Sequence, residues 1–115
     1  FEGHFRRNFL QVVDGARVYL HALENWDRMR DNVFNVGLTA ANMTKLELCQ
    51  EMVKVVPHLK VTENSTMKDP DKRNYVISNQ KVEEAGFTCQ HSLQQGLQEL
   101  KKIFILGRSP EDANI

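Results

Sequence analysis

The sequence predicts a mixed α/β fold in one domain. Amphipathic 3.6-residue periodicity runs through residues 14–26, 44–56 and 92–104, which reads as three helices. Short β-branched and aromatic runs at 7–12, 33–37 and 75–77 read as strands. Capping and turn residues separate the two kinds of segment, so helices and strands alternate along the chain.

Arg7 to Val12 is predicted as a first strand, followed by Asp14 as N-cap of a helix with Ala16, Tyr19, Leu20, Leu23 and Trp26 on its inward stripe. Arg28 to Asn32 is a polar connection. Val33-Phe34-Asn35-Val36-Gly37 is the strongest strand, nearly continuous in apolar residues, as in strands buried on both faces. Leu38 to Met43 reads as a loop into Thr44-Lys45-Leu46-Glu47, where Thr44 and Glu47 stand at capping-box spacing. That helix runs to about Val56, with Leu46, Cys49, Met52 and Val53 inward and Pro57 as its stop. Lys60 to Thr62 is a weak strand. Tyr75 to Ile77 forms a short strand, Ser78 caps a helix over about 79–85, and Gly86 ends it, with Val82 and Phe87 at the touching positions of a Schellman stop. Ser92 and Gln95 open a last helix with Leu93, Leu97, Leu100 and Phe104 inward, and 108–115 reads as a frayed tail.

Fifteen basic and fifteen acidic side chains balance to zero, which argues against a nucleic-acid binder working by broad electrostatic attraction; any anion site is local. No apolar run approaches the roughly 18 residues that span a bilayer, and no signal peptide opens the chain, so the expectation is a cytoplasmic protein without a membrane partner. The chain starts at Phe1 and reads as one entered midway. Cys49 and Cys89 form no CxxC pair and read as buried apolar groups, while His4, His21, His58 and His91 are too scattered for a local metal site. Asn42-Met43-Thr44 and Asn64-Ser65-Thr66 match the glycosylation pattern, but no secretory signal accompanies them.

The glycines are too far apart for a dinucleotide-binding GxGxxG, and neither Tyr19 nor Tyr75 has a lysine four residues on. Asp14 with His21, or His91 with Cys89 and Ser92, can be drawn as acid/base or nucleophile groups, though each is more simply a cap or a surface polar residue. What stands out is the charged loop Lys68-Asp69-Pro70-Asp71-Lys72-Arg73-Asn74, which runs into Tyr75-Val76-Ile77-Ser78. It has two readings: a solvated turn whose charges pair with one another, or a fixed cationic post that, with Arg6 and Arg7, clamps a diphosphate.

Five segments carry a resemblance when taken in register. They are Arg7-Asn8-Phe9-Leu10-Gln11-Val12-Val13-Asp14 with Ala16; Val33 to Gly37; Met43-Thr44-Lys45-Leu46-Glu47-Leu48; Asp71-Lys72-Arg73-Asn74-Tyr75-Val76-Ile77-Ser78; and Gly86-Phe87 with Ser92-Leu93-Gln94-Gln95-Gly96-Leu97. Over about residues 5–105 the chain resembles the C-terminal part of extended short-chain dehydrogenases, the NAD-dependent nucleotide-sugar epimerases and dehydratases. The resemblance implies an α/β fold made of a partial Rossmann-type edge plus a small substrate-binding α+β subdomain. It makes residues 1–115 the substrate-binding portion of a larger enzyme that is not catalytic alone. A missing N-terminal Rossmann part holds NAD and the catalytic Tyr and Lys. The implied partners are a nucleotide-sugar substrate and that missing part, in a homodimeric parent. Arg7 and Arg73 are the implied contacts to the nucleotide diphosphate, with Lys68, Asp71 and Asn42 in the same pocket. Gln11 departs from the family's histidine or tyrosine, and Val13 from a more polar residue. The alternative is a free-standing non-catalytic module that binds a nucleotide anion or a protein partner.

Overall fold

The computed structural model describes residues 2–64, 66 and 70–106, so Lys68 and the predicted tail lie outside the described residues. The first strand is shorter than predicted: β1 (Arg6–Asn8) pairs antiparallel with β2 (Asn42–Thr44), Arg7 opposite Met43. Pairing stops there because Gln11 turns the chain into helix α1 (Val12–Glu24), accepting from the Val13 and Asp14 amides with its side chain. Gln11, not Asp14, is therefore the N-cap. Asp14 lies within the first turn, fully buried. A single helical turn α2 (Trp26–Met29) follows.

The mixed α/β expectation holds, with five α-helices and this two-stranded antiparallel sheet among the described residues. Residues 33–37 form no strand pair, yet Phe34 and Val36 pack inward against Val18, Met29, Val82 and Phe87 while Val33 and Asn35 face out. That alternation is a strand's pleat without a neighbouring strand. The helix stripe is also reversed from expectation: Tyr19, Leu20, Leu23 and Trp26 are exposed, and α1 buries Val18 and Asp14 instead. At Gly37 an added Cβ would fall 2.6 Å from Ile77 Cδ1 and closer still to Asn8 Oδ1, so this crossing point admits only glycine without displacement.

A 3₁₀ turn (Thr39–Ala41) leads into β2 and then α3 (Lys45–Val55). Thr44 and Glu47 close the predicted capping box, Glu47 N–H on Thr44 Oγ1 at 3.1 Å and Thr44 N–H on Glu47 Oε2 at 2.7 Å. Helix α4 (Gln80–Glu84) has Asn79 at its N-cap position with no side-chain capping bond, Ser78 Oγ instead accepting from Gln80 N–H at 3.4 Å, and it ends at Gly86, whose φ is +94°. The Schellman bonds are both present, Phe87 N–H to Val82 O at 3.1 Å and Gly86 N–H to Glu83 O at 2.9 Å. Val82 and Phe87 are both buried, so the helix stop and the core are one feature. Helix α5 (Leu93–Ile105) opens on the predicted Ser92–Gln95 box and packs against α3, with Lys101 Nζ on Val55 O at 3.0 Å. None of its residues is buried.

Candidate functional site

Three stretches far apart in sequence meet at β1. Asn74 Oδ1 accepts from Arg6 N–H at 2.8 Å, and Tyr75 N–H reaches Arg6 O at 3.5 Å. Asn42 supplies the third side: its Nδ2 donates to Ile77 O at 2.9 Å while its Oδ1 accepts from Ile77 N–H at 3.1 Å. A side-chain amide thus does for Ile77 what a paired strand residue would do. The predicted strand 75–77 is consequently held as an extended flank without a backbone ladder. Asn8 repeats the device on Leu38, donating to its carbonyl at 2.8 Å and accepting from its N–H at 3.1 Å.

This arrangement delivers Arg7 onto the charged loop. Its Nη1 donates to Arg6 O at 2.8 Å and, more tightly, to Arg73 O; its Nη2 donates to Asp71 O at 3.0 Å and lies 3.5 Å from Asp71 Oδ2. The guanidinium also sits 5.4 Å from the Tyr75 ring centre and 6.0 Å from that of Phe5, a cationic group between two π faces. Only 14% of the Arg7 side chain is exposed. Arg73 is its opposite, 76% exposed and gripped on one edge by Asp71, with Nε on Oδ1 at 2.6 Å and Nη2 on Oδ2 at 2.7 Å. The Arg73 N–H also bonds Asp71 Oδ1 at 3.1 Å, closing an Asx turn. Arg73's bonds, with Arg7 adding to them, hold the Asp71 carboxyl far below the usual carboxylate range.

Of the sequence-predicted residues, Arg7, Asp71 and Arg73 come together, Asn42 stands beside them but spends its amide on Ile77, and Lys68 lies outside the described residues. The asparagines Asn8 and Asn74 escaped sequence reasoning, because each acts on backbone at least 30 residues away and carries no local signature. Two cavities, of 570 and 420 Å³, lie elsewhere. The larger is an apolar cleft where α3 and α5 meet residues 8–12, and the smaller runs along α1 beside Phe34 and Val36. Neither is lined by Arg7, Asp71 or Arg73, and of the two arginines only Arg73 is widely open to solvent.

The acid/base groupings drawn from sequence resolve differently. Asp14 meets His91, not His21: it accepts from the His91 N–H at 2.8 Å, the Gln90 N–H at 3.1 Å and Arg17 Nη1 at 2.5 Å. His91 Nδ1 lies 3.1 Å from Asp14 Oδ2, at ion-pair distance but off the line of a hydrogen bond. Burial pushes this carboxyl up, but the His91 and Gln90 amides and Arg17 outweigh it and hold it at about 2. His21 instead contacts Ala85 O at 3.0 Å. Cys89 donates to Gly37 O at 3.3 Å, and burial pushes its thiol up, away from the reactive thiolate. Asp14 thus anchors α1 to residues 90–91 and His21 anchors it to Ala85, while Cys89 is tied to Gly37. Both cysteines are free, and no group of three or more potential ligands gathers around a metal position among the described residues. No described helix is long and apolar enough to cross a membrane. No protein-family model matches the chain.

Proposed function

We propose that this chain is the nucleotide-sugar-binding portion of an NAD-dependent epimerase/dehydratase, whose Rossmann part, NAD site and catalytic Tyr and Lys lie on polypeptide outside this sequence. The observation that carries this reading is the meeting of Arg7 with Arg73 across more than 60 residues, at the two positions where the resemblance expects a diphosphate contact. Arg73 would make the direct contact, since Asp71 occupies only its Nε/Nη2 edge and the Nη1 side has no protein acceptor among the described residues. Arg7 holds the loop beneath it. The fold reading that goes with this is a partial Rossmann-type edge, formed by α1 and the unpaired pleated residues 33–37, beside a small α+β subdomain. The open setting of Arg73 fits a pocket whose opposite wall is supplied by the rest of the enzyme.

The test is Arg73→Ala in the parent enzyme, titrated with UDP-, GDP- and dTDP-sugars and separately with NAD. Losing a charge-assisted contact weakens nucleotide-sugar binding by about tenfold or more and leaves NAD affinity unchanged. An unaltered nucleotide-sugar affinity returns the loop to a plain surface turn.

A further inference from the structure

Resting on that reading, the donor count of the two arginines carries a further step. A guanidinium has five N–H groups. Three N–H groups on the Arg7 terminal nitrogens are hydrogen-bonded to protein carbonyls, two from Nη1 to Arg6 and Arg73 and one from Nη2 to Asp71, and Nη2 also lies 3.5 Å from the Asp71 carboxylate. Arg73 has one full edge on the same carboxylate and the remainder open to solvent. Among the described residues Asp71 is the carboxylate that faces both guanidinium groups, 3.5 Å from one and 2.6 Å from the other.

We propose that Asp71 is the internal counter-anion of this arginine pair, holding the positions a diphosphate would take and so setting how much charge a ligand must bring to enter. A compact anion meets only the open side of Arg73 and gains one contact. A diphosphate, with a second charged group a few ångströms along, reaches the Asp71-facing edges, and repulsion between like charges moves the carboxylate aside. Asp71 therefore disfavours every anion and costs most to the one that must displace it. This is a specificity role, distinct from touching the ligand.

Asp71→Asn isolates the effect, because the amide keeps an Oδ1 acceptor for the Arg73 N–H of the Asx turn while losing the charge. The 115-residue chain is titrated calorimetrically at low salt with inorganic pyrophosphate and with inorganic phosphate. Asp71→Asn is expected to bind both more tightly, pyrophosphate by the larger factor because it alone no longer has a carboxylate to displace, so that the preference for pyrophosphate grows by about threefold or more. Asp71→Asn with Arg73→Ala abolishes the gain. Circular dichroism and amide exchange of each variant check that β1 and β2 remain paired, and Asp71→Ser replaces Asp71→Asn if they do not. Unchanged or weaker pyrophosphate binding on removing the Asp71 charge overturns the proposal, as does a preference that stays constant or shrinks. Since the sugar-nucleotide reading is judged by Arg73→Ala in the parent enzyme, either idea can fail while the other stands.

Discussion

Asp14 is a carboxylate with no exposed surface, and its bonds to the Gln90 and His91 amides and to Arg17 are charge-assisted only while it is ionised. Its folded value of about 2 lies below the ordinary 3.8, so its contribution to stability is present above 3.8 and is lost as pH falls through about 2. Urea unfolding of the native chain and Asp14→Asn across that window should show the native chain losing stability faster, the gap between them closing towards the acid end. A constant gap would mean that charge plays no part. At pH 7 Asp14→Ala should cost about 3 kcal/mol, as expected for leaving buried partners unpaired. A sequence reader sees Asp14 three residues from the helix start and assigns a cap. The true partners stand 76 and 77 residues on, and no local pattern announces them. Arg7 and Arg73 were legible as a pair of cations, but which one is saturated and which is open depends on carbonyl positions that only the folded backbone fixes.

At the scale of elements, features written within a few residues were readable: the boxes at Thr44 and Ser92 and the Gly86 stop all form as predicted. Thr44→Ala and Ser92→Ala should each cost about 1 kcal/mol. Gly86→Ala should cost about 1–2 kcal/mol, because φ of +94° is strained for a residue with a Cβ even though the nearest atom, His21 Cε1, is 3.6 Å away. Each shows as a lower urea midpoint at constant slope; an Ala at 86 as stable as Gly would contradict the assignment of that strain. Strands fared worse, since a strand exists only by its partner. Residues 75–77 have the right composition but meet an asparagine side chain, and residues 33–37 have the right pleat but no partner strand among the described residues.

Across the whole molecule the apolar surface is not closed. Tyr19 and Leu23 of α1, Trp26 of α2, Val33, and Leu100, Phe104 and Ile105 of α5 are all exposed, and the radius of gyration is 16.4 Å where a self-contained domain of this length has about 13 Å. In α1 the apolar stripe that the periodicity would turn inward is exposed, and no described residue covers it. The isolated chain should therefore associate as its concentration rises in sedimentation velocity and should bind a hydrophobic dye. A monodisperse monomer with one sharp two-state melt would contradict this. The amides of Asn8 and Asn42 bear on what form such association takes. A backbone strand at Leu38 or Ile77 could go on pairing along its length and recruit further chains, whereas a side-chain amide satisfies a single residue and offers nothing to the next. At these two places a growing fibril finds no backbone template.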